Sequence, residues 1–173
     1  MNSIPFKETQ RLNQVWVWLI LGLVNLVLIW MLITQLVLGQ PVGDNPAPDG
    51  FLAFVVVVGL FMSALVISMR LETEIDEQGI HYRFTPFIPS FKTVCYDELQ
   101  EATVRKYRPI IEYGGWGFRL GVMGKGKALN MRGNQGLQLV FKDGRRLLIG
   151  TQEPEALRQA LTSFSTVSSS HQL

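Results

Sequence analysis

Two long runs without a charged side chain dominate the first half of the chain. They cover residues 15–38 and 51–69 and are 24 and 19 residues long. As helices they would rise about 36 Å and about 28 Å, which suits a hydrocarbon core about 30 Å thick. A signal peptide has a shorter apolar segment, and a soluble core helix of this kind would turn an apolar face to water. The sequence therefore predicts two transmembrane helices.

The segment between the runs, residues 39–50, predicts a turn outside the membrane. It holds Pro41, Pro46 and Pro48 as well as glycines, so it cannot continue a helix. The two runs and this turn together form a predicted membrane hairpin.

The basic residues around the hairpin predict its orientation. Lys7 and Arg11 precede the first run and Arg70 follows the second, whereas the connecting segment has two aspartates and no Lys or Arg. Because positive charge collects on the cytoplasmic side, we expect a multi-pass protein of the plasma or inner membrane with both termini in the cytoplasm.

Several kinds of chemistry are not expected from this chain. The one cysteine, Cys95, excludes an intramolecular disulfide, and we expect it to be a small buried residue of a strand. The two histidines, His81 and His171, are far apart, and no Ser-His-Asp or metal-ligand spacing is present. The pattern over residues 121–128 resembles a phosphate-binding loop, but it ends in Ala128 where that loop needs a hydroxyl. We therefore expect no catalytic residues, no cofactor and no metal, and the net charge of +2 argues against nucleic-acid binding.

After the second run the periodicity becomes that of short strands. Alternating apolar residues and intervening turns predict about seven strands. These strands cover residues 71–75, 80–84, 91–96, 102–107, either 118–120 or 128–131, 137–141 and 146–149. Beyond Gly150, an apolar stripe at helical spacing predicts a C-terminal helix. Its members are Leu157, Ala160, Leu161 and Phe164.

The order of these elements resembles a known family. Small bacterial membrane proteins with a helical hairpin and a pleckstrin-homology (PH)-like domain share with this chain the stretches 114–119, 126–128, 136–141 and 150–154, with the turn Asp143-Gly144. The resemblance covers about residues 10 to 165 and implies an all-β PH-like barrel, made of two orthogonal sheets and closed by the C-terminal helix. It implies a membrane location and transfers no chemistry.

The predicted organisation of the chain follows from these patterns. It comprises a cytoplasmic N-terminal segment (1–14), the two spans (15–38 and 51–69) with their extracytoplasmic loop (39–50), a cytoplasmic PH-like domain (70–165) and a disordered tail (166–173).

Charge is unevenly divided along the predicted domain. Residues 71–101 carry seven acidic and two basic side chains, whereas residues 102–146 carry two acidic and ten basic ones. A basic stretch beside an anionic leaflet contributes about 1 kcal/mol per well-placed Lys or Arg. Lys125, Lys127 and Arg132 are the candidate lipid contacts; the alternative is a solvated face.

A second candidate contact is the pair Trp116 and Arg119, because Trp and Arg are frequent at the centres of interfaces. The alternative is a Trp packed into the barrel with the Arg paired to a carboxylate. The same region is rich in glycine, since half of the 16 glycines lie within residues 114–136. We expect them to form bulges and close turns of the barrel; the alternative is a mobile loop or backbone surface that admits a ligand.

The function that these features predict is that of a non-enzymatic, membrane-anchored binding or scaffold module. Its expected partner is a protein or a second copy of the chain. One alternative is recognition of anionic lipid by the basic stretch 102–146. Another is an enzyme whose site has no recognisable sequence pattern.

Overall fold

The protein is described by a computed structural model that covers residues 6–121 and 126–170, with side chains up to residue 163. Within it the chain forms two compact units. The helical unit is Asn13–Ser68, and the β unit comprises the chain up to Leu12 together with the chain from Met69 onward.

The helical unit is a pair of antiparallel helices. Helix α1 (Val15–Leu32) continues into a π-helical turn (Ile33–Val37), and α2 (Asp49–Ser68) returns. The Asn25 amide donates a hydrogen bond to Ser63 Oγ (2.8 Å) between the two helices. The two predicted helices are therefore confirmed, with bounds that differ by one or two residues from 15–38 and 51–69.

Both helices are long and apolar enough to cross a membrane. The stretches Val15–Val37 and Asp49–Ser68 are 23 and 20 residues long. Most of their apolar side chains are exposed and others are half-buried, while Leu52 and Val56 are the buried ones among the residues described for this unit. That they do cross a membrane stays a prediction.

The β unit is an open sandwich of two sheets. The first sheet contains β1 (Phe6–Arg11), β2 (Arg70–Ile75), β3 (Ile80–Thr85) and β4 (Ile88–Val94), paired in that order and antiparallel throughout. The second contains β5 (Leu99–Lys106), β6 (Gly117–Leu120), β7 (Lys127–Asn130), β8 (Gln135–Phe141) and β9 (Arg146–Gly150). Its order is β5-β8-β9-β7-β6, with β7 and β9 parallel.

The prediction of about seven strands is too low, because the described residues form nine. Both candidates for the fifth strand exist and pair with each other as β6 and β7. A short helix, α3 (Pro109–Tyr113), follows β5 where only a strand end was predicted. Pro109 suits the first turn of a helix, and Gly114 closes it in a left-handed conformation (φ 72°).

The remaining extra strand, β1, lies in the segment that we predicted to be separate from the domain. It pairs with β2 from Phe6, opposite Ile75, to Arg11, opposite Arg70. Its inward residues include Glu8 and Gln10, which are 5% and 2% exposed. The alternation of apolar and polar residues does not predict this strand, because polar side chains occupy two of its three buried positions.

The core lies between the sheets and is closed by the C-terminal helix α4 (Pro154–Ser170). Fully buried side chains come from the first sheet (Leu71, Ile75, Ile80, Phe84), from the second sheet (Leu129, Leu137, Leu139, Ile149) and from α4 (Leu157). Each such side chain contributes about 1.5–3 kcal/mol by leaving water.

Helix α4 presents the predicted stripe to that core. Leu157 and Ala160 are buried and Leu161 packs against them, while the side chain of Phe164 lies outside the described residues. The helix runs to Ser170, so residues 166–170 are helical where we predicted disorder to begin. The hydrogen-bond pattern of the preceding turns simply continues through them. Residues 171–173 lie outside the described part.

Candidate functional site

The predicted contact residues are not all in one place. Lys127 begins β7, opposite Leu120 of β6, whereas Arg132 follows the other end of β7, and both are exposed. Lys125 lies outside the described residues. Two of the three predicted lipid contacts, Lys127 and Arg132, are therefore at opposite ends of β7. The alternation of apolar and polar residues in the sequence does not predict this separation.

Trp116 directly precedes β6, at the same end of the sheet as Arg132, whereas Arg119 lies within β6 opposite Ala128 and its side chain reaches back to Trp116. The half-buried Trp116 donates its indole N–H to the carbonyl of Gly133 (3.0 Å), and the Arg119 Nε donates to the carbonyl of Trp116 (2.9 Å). Arg119 is thus held by a backbone oxygen rather than by the carboxylate that we considered. The pair fixes the turn that follows β7.

A buried amide supports the same end of the sheet. Asn130 is fully buried; its Oδ1 accepts the backbone N–H of Gly117 (2.8 Å) and its Nδ2 donates to the Tyr107 hydroxyl (2.9 Å). These bonds attach the start of β6 to the end of β7. Their role is to hold the fold, and they offer no free group to a ligand.

The opposite end of the second sheet has a pocket of about 340 Å³, called here the basic pocket. The first sheet contributes Tyr82 from β3 and Lys92 from β4, and the second contributes Lys127 together with the β8–β9 hairpin. The hairpin residues used below are Phe141, Arg145 and Arg146. Of the predicted site residues, Lys127 is the one placed here by the described structure.

Arg145 is the one cation of the pocket that an acid already engages. Its Nε lies 2.5 Å from Asp143 Oδ2, its backbone N–H donates to Asp143 Oδ1 (2.9 Å), and its guanidinium lies over the Phe141 ring (4.8 Å). These hydrogen bonds lower the pKa of Asp143 below its ordinary value, first through the backbone N–H and then through the side chain. Asp143 therefore remains ionised and held by Arg145.

Two other cations of the pocket, Lys92 and Lys127, form no ion pair with any residue that the structure describes. They belong to β4 and β7, one strand from each sheet. Arg146 borders the pocket through its backbone beside Gly126, whereas its side chain lies on the other face of β9, with Leu148. The pocket therefore carries a net positive charge supplied from two separate parts of the chain. An anion is the ligand that such a charge attracts.

A row of polar side chains leads inward from the pocket. Glu8, Thr73, Tyr82 and Lys92 are directly opposite one another across β1, β2, β3 and β4, so they share one face of the sheet. Burial raises the pKa of the Tyr82 phenol, and the Arg145 guanidinium offsets part of that rise. The phenol is therefore a hydrogen-bond donor at neutral pH.

Two buried polar atoms near this row have no hydrogen-bond partner among the described residues: Thr73 Oγ1 and Gln10 Oε1. At the far end, Glu8 accepts bonds from the Thr151 hydroxyl (2.7 Å) and the Gln152 N–H (2.8 Å). Burial raises the pKa of Glu8, and these hydrogen bonds work against the rise. Glu8 is thus already engaged at the other edge of the sheet.

Gly126 permits the close approach that forms one side of the pocket. A Cβ at this position would lie 2.1 Å from the Arg146 carbonyl oxygen, and its φ of +81° also suits glycine. The Gly126 carbonyl accepts the N–H of Gly121 (2.6 Å). This geometry lets Lys127 lie beside β9, which is the functional use of one glycine in the glycine-rich segment.

A second cavity, of about 320 Å³, lies on the second sheet beside α3. Its lining includes Arg105 and Glu112, which form an ion pair (2.9 Å), and Gln138, which accepts a bond from Arg105. Arg146 and Glu101 line it as well, so two arginines face two glutamates and the cavity has less net positive charge than the basic pocket.

The structure corrects the expectation for Cys95. The residue is exposed and follows β4 directly, before the 3₁₀ turn Tyr96–Glu98, because the strand ends at Val94. Its thiol lies near the carboxylates of Asp97 and Glu98, with ligand atoms within 4.8 Å of one another. Exposed acids of this kind are common without an ion, so this group does not indicate a metal site.

Comparison with known protein families assigns nearly the whole chain to one family. It belongs to the family of unknown function DUF6141, which matches residues 2–169. No curated protein matches the chain. The resemblance to PH-like membrane proteins therefore stays a prediction, and the family match transfers no activity.

Proposed function

We propose that this protein is a non-enzymatic binding module anchored in a membrane by its helical unit. The two helices cross the bilayer, the loop between them is outside, and both termini and the PH-like β unit are cytoplasmic. The exposure of most of the apolar side chains of the helices supports this, because water would penalise such a surface by about 25 cal/mol per Å². The basic residues at both flanks support the orientation.

The observation that carries the binding role is the basic pocket. It is open, it draws residues from both sheets, and its Lys92 and Lys127 side chains lack acidic partners among the described residues. Two such cations that come together from different sheets attract an anion to this place. The ligand of the module is therefore expected at this pocket, whether it is a protein, a second copy or a smaller anion.

The test requires the complete chain. A fragment beginning at residue 71 would lack β1, and with it the buried Phe6 and the bonds of Glu8 to Thr151 and Gln152. The full chain is purified in mild detergent from the membranes that express it, and its mass is measured under native conditions. We expect a bound companion: a ligand, a lipid, a partner protein or a second copy.

A matched pair of variants shows whether that companion occupies the pocket. Lys92→Gln with Lys127→Gln removes two pocket cations, and Arg119→Gln with Arg132→Gln removes two exposed cations elsewhere. We expect the first variant to lose the companion and the second to retain it. A bare monomer in all three proteins, or equal loss from both variants, would contradict the proposed function.

A further inference from the structure

We infer that the basic pocket is a site for a phosphoryl group, carried by a small organic phosphate or by a lipid headgroup. This inference deepens the proposed function and rests on it. It is argued from charge, donors, volume and the apolar wall of the pocket.

The charge of the pocket matches a phosphate better than a carboxylate. A phosphate monoester carries about −1.5 to −2 charges at pH 7, whereas a carboxylate carries one. Lys92 and Lys127 supply two positive charges without acidic partners among the described residues, which matches the charge of a phosphate monoester. Each lysine offers phosphate oxygens a compact charge with three hydrogen-bond donors.

The acids nearest to the pocket do not compete with such a ligand. Asp143 is occupied by the backbone and side chain of Arg145. Glu8 lies at the far end of the polar row and is occupied by Thr151 and Gln152. An incoming anion therefore meets cations and the Tyr82 hydroxyl without a free carboxylate on the polar row.

The size and the walls of the pocket suit a small molecule. A volume of about 340 Å³ lies in the range of ligand pockets, which is about 300–1,000 Å³. The Phe141 ring and Leu147 give it an apolar side, where the carbon skeleton of the ligand can pack. A phosphoryl group on a short carbon skeleton, such as glycerol phosphate, matches both features.

Two arms of one experiment identify the source of the phosphate. The full chain is inserted into nanodiscs of phosphatidylcholine and titrated with glycerol 3-phosphate by calorimetry. In the second arm the discs contain phosphatidic acid, and the retained lipid is measured by native mass spectrometry. Saturable binding in the first arm identifies a soluble organic phosphate, and selective retention in the second arm alone identifies a headgroup.

The paired variants decide whether the pocket is responsible. Each cation that contacts a phosphate is expected to account for about a tenfold change in affinity. We therefore expect binding about a hundredfold weaker in the protein with Lys92→Gln and Lys127→Gln, and little change with Arg119→Gln and Arg132→Gln. If the double variant fails to fold, Lys92→Gln alone serves instead, with an expected loss of about tenfold.

The outcomes separate this inference from the proposed function. If the wild-type chain binds neither probe, or if the pocket and control variants weaken equally, the inference is wrong. If the chain then still holds a pocket-dependent companion without a phosphoryl group, the binding module stands and the ligand class changes.

Discussion

The helical unit and the β unit differ in where their apolar side chains lie. In α1 and α2 they point outward, and among the described residues of that unit Leu52 and Val56 alone are buried. In the β unit they point inward, and fully buried side chains such as Phe84 and Leu139 fill the space between the sheets. The apolar side chains of the helical unit therefore require an apolar environment outside the protein, whereas those of the β unit are buried against one another.

This difference shows where each unit obtains its stability. Contacts between the helices include the hydrogen bond of Asn25 with Ser63 and the close approach of Leu28 to Gly59, where an added Cβ would lie 3.2 Å from the Leu28 side chain. Small residues and single polar bonds of this kind are typical of helices that pack in lipid. The β unit instead depends on a continuous core, which is stable because its side chains are removed from water.

The largest expected effect compares two phenylalanines. Phe84 is fully buried between the sheets, whereas Phe54 of α2 is 62% exposed. We expect Phe84→Ala to lower the free energy of unfolding of the β unit by about 3–5 kcal/mol. Phe54→Ala should leave it unchanged. Both free energies of unfolding are measured by chemical unfolding in detergent, monitored through hydrogen exchange of the strands. Equal decreases in the two variants would contradict the comparison.

A pair of equally exposed leucines sharpens the comparison from the other side. Leu26 of α1 and Leu120 of β6 are 66% and 69% exposed. We expect Leu26→Lys to raise the apparent free energy of membrane insertion of α1 by about 3 kcal/mol. Leu120→Lys should alter neither insertion nor stability. A glycosylation assay measures the fraction of chains in which α1 is inserted. An inserted fraction that Leu26→Lys leaves unchanged would argue against a membrane-spanning α1.

Two glycines with the same φ test the close approach at the pocket. Gly126 and Gly133 both have φ +81°. A Cβ added at Gly126 would collide with the Arg146 carbonyl oxygen, whereas a Cβ added at Gly133 would have no atom within 4 Å. Gly133→Ala should cost about 1–2 kcal/mol through backbone strain alone. Gly126→Ala should cost about 1–3 kcal/mol more, because β7 must move away from β9. Similar thermal unfolding of the two variants would show that the approach is unimportant.

The smallest effect is a pH dependence that Glu8 introduces. Burial raises the pKa of Glu8 above its ordinary value of 4.5. Its contribution to stability is therefore fully present below about pH 4.5 and is lost as the pH rises through the folded-state pKa. Glu8→Gln removes this dependence, so the stability of the variant relative to the wild type should increase from pH 4.5 to pH 7. Thermal unfolding across that range would reject the account if the difference stayed constant.

Regular patterns made much of the fold predictable. The charge-free runs led to α1 and α2, and alternation led to β2, β3, β8 and β9. The turn at Asp143-Gly144 was found because Asp-Gly suits a positive φ, and Gly144 has φ 84°. These elements share a feature: their signal is local, within a few residues of the chain.

The missed parts depend on partners that are distant in the sequence. β1 becomes a strand because it pairs with β2, more than 60 residues later, and its buried Glu8 and Gln10 contradict the usual alternation. The basic pocket needs β7 to lie parallel to β9 and β3 to lie near the β8–β9 hairpin. Lys92 belongs to the acidic part of the charge profile, so no local count could have assigned it to a basic site.

The most direct measurement uses the single cysteine of the chain. Cys95 is exposed on the β unit, and a cysteine placed at Gly43 would mark the loop between the helices. A thiol reagent that cannot cross membranes is applied to intact cells and to permeabilised cells. The account predicts that Cys95 reacts after permeabilisation alone, and that Gly43→Cys in a Cys95→Ala background reacts in intact cells. Reaction of Cys95 in intact cells, or protection of position 43, would contradict a cytoplasmic module anchored by two membrane-spanning helices.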